Sequence, residues 1–190
     1  MNIVMVSLGH LWLPIIVSAV VVFIASSVMH MMLTYHNADY KGLSNEDGVR
    51  AAVNAGRATA GQYTIPYCAS PKEMASPDKQ KLYNEGPVGL LILRAPGPVK
   101  MGPFLGGWFV FLLVISFFTA YVLSRTLPLG APYLAVFRIA GTVAWMGYSG
   151  AEITNSIWRM QPWAVTWKNV IDGLIFGLLT AGVFGWLWPR

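Results

Sequence analysis

Four long runs of apolar residues dominate the chain, at 11–35, 104–124, 131–151 and 173–188. None of these runs contains Asp, Glu or Lys, and only the third contains an arginine, Arg138. A helix needs about 20 apolar residues to cross a hydrocarbon core of about 30 Å, because each residue adds about 1.5 Å. The pattern therefore predicts an integral membrane protein.

The predicted fold class is an all-α integral membrane protein with four transmembrane helices, at about 11–35, 104–125, 131–152 and 169–188. A polar segment, 37–103, separates the first two helices. We therefore expect a four-helix bundle formed by 1–36 and 104–190, with a small α/β extramembrane cap inserted between helices 1 and 2. The first apolar run continues past 20 residues without a cleavage site, so it is interpreted as a retained helix.

Local signals within the cap predict short elements. Ser44 and Asp47 have the spacing of a capping box, which favours a helix over 45–55. The segment 62–67 is expected to be extended, and Ser76 followed by proline opens a second helix that runs to about residue 83. The apolar segment 88–93 is too short to span a membrane. It is either a buried strand of the cap or an exposed apolar edge that docks onto another subunit.

Composition agrees with a membrane protein. Hydrophobic residues make up 55% of the chain and charged residues 11%, against about 25% charged in an average soluble domain. The net charge of +5 is small, and no basic cluster interleaved with aromatic residues supports nucleic-acid binding. The cap carries eight Lys and Arg, and positive loops are retained in the cytoplasm. This favours a cytoplasmic cap, with both termini on the opposite side of the membrane.

Small residues recur every four positions in the last predicted helix, at Gly173, Gly177, Ala181 and Gly185. Such a stripe lets two helix backbones approach closely in lipid, so it is a candidate helix-packing interface. Its partner is either the third helix of the same bundle or another subunit. Most of the eight tryptophans fall near predicted helix ends, where an indole suits the headgroup region.

Ionisable groups near the membrane form the candidate chemistry. His30, His36, Glu152 and Asp172 all fall near the cap side of the predicted bundle, and two imidazoles with two carboxylates suit zinc, manganese or iron. Methionines at 29, 31 and 32 flank His30 and suggest copper as an alternative. However, Lys168 precedes Asp172 at helical spacing, which predicts an ion pair between them instead.

Arg138 lies about five residues inside the third helix, where a charge costs at least about 2.5 kcal/mol. It either extends to the interface, where it meets water or lipid phosphate, or has a buried partner. Cys68 is the only cysteine, so an intrachain disulfide is excluded. We found no phosphate-binding glycine loop or nucleophile elbow, and no catalytic residue or organic cofactor is predicted.

Three segments carry a resemblance to a known class of proteins: 36–47 (HNADYKGLSNED), 61–66 (GQYTIP), and the ending that begins KNVIDGL at 168. In these segments the chain resembles small polytopic inner-membrane proteins of bacteria that have no assigned activity. The resemblance implies this architecture in a bacterial inner membrane, with periplasmic termini, and no activity or residue role.

Three features favour a non-catalytic accessory or assembly subunit of a larger membrane complex: the small-residue packing stripes, the many interfacial tryptophans, and a cap too small to be an independent enzyme. The first alternative is a small oligomeric transporter or channel. Its candidate pathway residues are Arg138, Glu152 and Asp172, with Ser116, Thr119 and Thr142 as polar lining. The second alternative is a metal-dependent membrane enzyme.

Overall fold

The computed structural model describes residues 5–190 and is mostly helical. Two compact units can be distinguished: a larger one comprising the described residues up to Asp39 together with Lys100–Arg190, and a smaller one, Tyr40–Val99. In chain order the elements are α1 (Trp12–Met31), α2 (Glu46–Ala55), β1 (Gly61–Ile65), α3 (Pro71–Met74), α4 (Pro77–Glu85), β2 (Gly89–Leu93), α5 (Met101–Thr126), α6 (Tyr133–Ser149), α7 (Glu152–Trp158) and α8 (Trp163–Trp186).

Three helical segments of the described chain are long and apolar enough to cross a membrane: Leu8–Met31, Met101–Thr126 and Trp163–Trp186. The fourth predicted span is not confirmed. Its helix, α6, has 17 residues and ends at Ser149, where the predicted helix continued to about 152. At 1.5 Å per residue, α6 is about 26 Å long, which is short of a hydrocarbon core of about 30 Å.

Helix α1 ends at Met31, although the apolar run continues to residue 35. The amide of Met32 donates the last helical hydrogen bond, to the carbonyl of Val28. Two turns follow, closed by hydrogen bonds from Asn37 N to Thr34 O and from Asp39 N to His36 O, each 3.0 Å. The residues from 32 to 39 therefore fold back beside the end of α1 and do not extend it.

The core of the larger unit lies between α1, α5, α6 and α8. It contains two clusters of buried apolar side chains, one around Leu11, Leu123 and Phe184 and one around Val22 and Phe176. Polar side chains join the helices through short hydrogen bonds. Ser18 Oγ in α1 donates to Ser116 Oγ in α5 at 2.9 Å, and Trp108 Nε1 donates to Ser26 Oγ at 2.9 Å. Such bonds hold neighbouring helices in register, because lipid offers these groups no other partner.

The small residues of α8 face α6. A Cβ atom added at Gly177 would lie 3.0 Å from the backbone nitrogen of Trp145 and 3.2 Å from the carbonyl oxygen of Gly141. Added at Gly173 it would overlap the hydroxyl of Ser149, and added at Gly185 it would lie 2.6 Å from the ring of Tyr133. Ala181, the remaining member of the stripe, is fully buried. The two backbones therefore approach closely along this face.

The smaller unit holds α2, α3, α4 and a two-stranded antiparallel sheet, with Gly61 opposite Leu93 and Ile65 opposite Gly89. Helix α2 begins one residue later than the capping box predicted, because the Asn45 side chain, not Ser44, accepts from the backbone N–H of Gly48. Ser76 caps α4 as predicted, and its hydroxyl accepts from the N–H of Lys79. No side chain of Tyr40–Val99 is fully buried.

Candidate functional site

A compact group of titratable side chains lies where α1 ends and α8 passes beside it. We call this group the His–Asp cluster. It comprises three residues with metal-ligating atoms close together and three polar neighbours: His30, His36, Asp172, and then Tyr35, Asp39, Lys168. The turn after α1 supplies three of its members, and α8 supplies Lys168 and Asp172. The cluster thus depends on the early end of α1.

The centre of the cluster is the ring of His36, which lies between two carboxylates. Its Nδ1 is 2.5 Å from Asp39 Oδ2, and its Nε2 is 2.7 Å from Asp172 Oδ2. An ionised carboxylate oxygen can only accept a hydrogen bond, so both ring nitrogens donate when both acids are charged. This arrangement favours the positively charged imidazolium of His36.

Lys168 completes the charge balance on the other side of Asp39. Its Nζ lies 2.5 Å from Asp39 Oδ1 and 2.6 Å from the carbonyl oxygen of Tyr35. The expected ion pair between Lys168 and Asp172 is therefore wrong. Asp39, brought to this position by the turn after α1, takes the lysine, and Asp172 bonds to other groups.

Asp172 is a buried acid, with 4% of its surface exposed. Its Oδ1 accepts a short hydrogen bond from the hydroxyl of Tyr35, and its Oδ2 accepts from His36. A buried carboxylate is tolerated only when it is paired and hydrogen-bonded. Both oxygens of Asp172 meet that condition.

His30 is held differently from His36. Its Nδ1 lies 2.9 Å from the backbone carbonyl of Ser26, and a carbonyl can only accept, so Nδ1 carries the proton. In the neutral ring, Nε2 then has a free lone pair. This atom is 3.9 Å from Asp172 Oδ2, too far for a hydrogen bond. The His30 ring stacks on that of His36, with centroids 4.7 Å apart, and half of its side chain is exposed.

These contacts shift the pKa values of the groups that lie beyond the membrane-spanning segment. Burial pulls the pKa of His36 down, but hydrogen bonds and charge from Asp39 and Asp172 outweigh burial, and the net pKa is raised. The pKa of Asp39 is lowered, chiefly by the hydrogen bond from Lys168 and then by that from His36. Burial, followed by the bond to Asp172, raises the pKa of Tyr35. The cluster therefore favours a charged His36 and Asp39 with a neutral Tyr35.

The structure brings together three of the four predicted metal ligands. One potential ligand atom each from His30, His36 and Asp172 lies within 4.8 Å of the other two. Glu152 starts α7 and accepts a 2.8 Å hydrogen bond from the side-chain amide of Asn169. It lines a cavity of about 300 Å³ together with His30 and Asp172, but it is not part of the group of ligand atoms.

The other candidate residues lie elsewhere. Met29 is buried in the core, whereas Met31 and Met32 are 83% and 73% exposed, so the three methionines do not share one environment. Arg138 is exposed on α6. Among the predicted pathway residues, Ser116 and Thr119 are fully buried, and Thr142 is exposed like Arg138. Arg138 and Thr142 therefore lie on the exposed face of α6, whereas Ser116 and Thr119 are buried.

The sequence analysis missed two outer members of the cluster, Tyr35 and Asp39. It therefore also missed that Asp39 pairs with Lys168. A local signal was present, because His36 and Asp39 are three residues apart and immediately follow an apolar run. The signal becomes informative only once α1 is known to end at Met31.

Comparisons with known proteins give no further information about this site. No family model matches the chain, and no match was found among curated proteins or solved structures. The resemblance to bacterial inner-membrane proteins therefore stays a prediction.

Proposed function

We propose that this protein is a non-catalytic accessory or assembly subunit of a larger bacterial membrane complex. The observation that carries the proposal is the lack of buried side chains in the smaller unit. Across 60 residues, Tyr40–Val99, no side chain is fully buried. A polypeptide unit without a core has little to offset the entropy of folding. A partner surface would supply the missing burial.

The two-stranded sheet offers a specific surface for that partner. β2 is apolar along its length, and Ile92 is 65% exposed. In the described residues the sheet contains only β1 and β2, so each strand has one edge without a neighbouring strand. An isolated two-stranded sheet is marginally stable, and an open edge can accept a further strand. This favours docking of 88–93 over its alternative as a buried strand of the cap.

The proposal includes four membrane spans with periplasmic termini and a cytoplasmic cap. α6 is short, but its close contact with α8 at Gly177 supports placing it in the bilayer beside that helix. The positive charge of the cap supports the orientation. An engineered cysteine at Lys81, which is 74% exposed, in a Cys68→Ala background tests the orientation. An impermeant maleimide should label it only after the inner membrane is opened. Labelling in intact spheroplasts would show the opposite topology, with the cap on the periplasmic side.

Native mass spectrometry of the untreated membrane protein is the main test, with metal content read from the same sample. We expect a stoichiometric additional chain. A photocrosslinking residue at Ile92 should capture that chain, while the same residue at Lys81, which is exposed and lies in the same unit, should not. A monomer, or equal crosslinking from both positions, would contradict the proposal.

The transporter or channel alternative needs several copies, because Arg138 and Thr142 are exposed on α6 whereas Ser116 and Thr119 are buried. A metal-free homo-oligomer in the same mass spectrum would move the assignment to transport. A metal-dependent membrane enzyme is the third possibility and would require bound metal together with a reaction.

A further inference from the structure

We propose that His30, His36 and Asp172 bind one divalent transition-metal ion of the Zn²⁺ class. This site is independent of the proposed accessory function, because it lies wholly within the larger unit. Its donors are two imidazole nitrogens and one carboxylate oxygen, a set that suits zinc and its first-row neighbours. Glu152 is not a ligand in this proposal.

The three ligand atoms lie within 4.8 Å of one another, and the two distances to Asp172 are close to those that such an ion requires. Zinc bonds of about 2.0 Å in a tetrahedral arrangement place the ligand atoms about 3.3 Å apart. Asp172 Oδ2 is 2.7 Å from His36 Nε2 and 3.9 Å from His30 Nε2. An ion would push the first pair apart and draw the second pair together, each by about 0.6 Å. It would also replace the proton that His36 and Asp172 share.

Each proposed ligand already has an outer partner of the kind that metal ligands use. A ligating histidine usually donates its second N–H to a carbonyl or a carboxylate. His30 donates to the carbonyl of Ser26, and His36 donates to Asp39, which Lys168 holds in turn. The hydroxyl of Tyr35 fixes the second oxygen of Asp172. A structural ion-pair network would explain the contacts of His36, but within it the Nε2 of His30 makes no hydrogen bond and lies 3.9 Å from Asp172 Oδ2.

Metal binding also requires the two imidazole rings to reorient, and the structure leaves room for this movement. The lone pair of an imidazole lies in the ring plane, whereas the planes of His30 and His36 are 10° from parallel. The two rings must therefore tilt toward each other to share an ion. His30 can make this movement because half of its side chain is exposed. The cavity of about 300 Å³ beside His30 and Asp172 would accommodate water as the remaining ligand.

The test uses the full chain purified without a polyhistidine tag, stripped with EDTA and then titrated with Co²⁺ and Zn²⁺. Equilibrium dialysis with elemental analysis should find one ion per chain, and Zn²⁺ should displace the visible absorption of bound Co²⁺. His30→Gln should weaken Zn²⁺ binding by more than about 100-fold, and Asp39→Asn by about 10–100-fold, as expected for an outer partner. His10→Gln, an exposed histidine outside the cluster, is the matched control and should leave the affinity unchanged.

His30→Gln is the decisive variant, because His30 takes no part in the hydrogen-bonded network around His36. X-ray absorption of the Zn²⁺-loaded wild type gives a readout that needs no variant. It should show nitrogen and oxygen ligands at about 2.0 Å with the scattering pattern of two imidazoles. The proposal is overturned if the wild type binds no ion, if His30→Gln binds as tightly as the wild type, or if the absorption spectrum lacks imidazole ligands.

Discussion

His30 and His36 stack on each other with their ring planes 10° from parallel, although they are six positions apart in the chain. In a continuous helix, positions i and i+6 point about 120° apart, because each residue turns the helix by about 100°. The stacking exists because α1 ends at Met31 and the chain reverses. The ring of His30 extends from the last turn of α1, and the ring of His36 packs against it from the turn that follows the helix.

Substitution of these two rings should have unequal effects on the metal-free protein. His36 donates to two carboxylates, in bonds worth about 1.5–3 kcal/mol each. Because the amide of Gln can still donate to one of them, His36→Gln should lower the free energy of unfolding by about 2–4 kcal/mol. His30→Gln removes one bond to a carbonyl at a half-exposed position and should cost about 1 kcal/mol or less. Unfolding by SDS in mixed micelles, followed by tryptophan fluorescence with EDTA present, measures both. Equal losses would show that His30 has a structural partner that the geometry does not identify.

The bond between Lys168 and Asp39 ties α8 to the turn after α1. Lys168→Met should lower the free energy of unfolding by about 2 kcal/mol. This is below the roughly 3–5 kcal/mol of a fully buried pair, because the lysine side chain is 27% exposed. Asp39→Asn removes the negative charge that faces both Lys168 and His36, although its side-chain oxygen can still accept from His36. In the double variant the two losses should not add, with a coupling of about 1–2 kcal/mol. Additive losses would mean that the pair does not stabilise the fold.

Some features follow from local sequence and others do not. The start of α4 at Ser76 and Pro77 was predictable, because a cap acts within one turn of the helix. The end of α1 was not, since Met32, Leu33 and Tyr35 are as compatible with a longer helix as with a turn. Which acid pairs with Lys168 depends on where α1 ends, so the predicted pairing with Asp172 was wrong. The length of α6 was overestimated for a similar reason, because Gly150 and Ala151 do not interrupt the apolar pattern.

Gly177 and Gly182 give a matched pair for testing the contact between α6 and α8. Gly177→Ala places a methyl group against the backbone of Trp145 and should cost about 1–3 kcal/mol through overpacking. Gly182→Ala is the same exchange in the same helix, but the nearest atom would be 3.9 Å away. It should be neutral or stabilising by up to about 1 kcal/mol, because alanine favours the helix. SDS unfolding compares the two. A similar loss in both variants would contradict close packing at Gly177.

Glu73 in the smaller unit should give a pH-dependent local structure. Its carboxylate accepts from the amide of Ala69 at 2.8 Å and pairs with Lys79 at 3.1 Å, while Lys79 also donates to the carbonyl of Tyr67. The amide hydrogen bond first, and then Lys79, lower the pKa of Glu73. Because the folded pKa lies below the unfolded one, the stabilisation is present above the ordinary glutamate pKa and is lost as the pH falls through the lowered value.

The Ala69 amide reports this transition directly. In an NMR titration of the full chain in nanodiscs, its chemical shift should move at a pH below the ordinary glutamate pKa, and its exchange protection should fall with it. Glu73→Gln keeps an oxygen that can accept the amide hydrogen bond but does not titrate in this range, so the variant should abolish the pH dependence. Lys79→Met should move the transition to higher pH, because it removes the positive partner of the carboxylate. A transition of Ala69 that persists in Glu73→Gln would show that another group controls this turn.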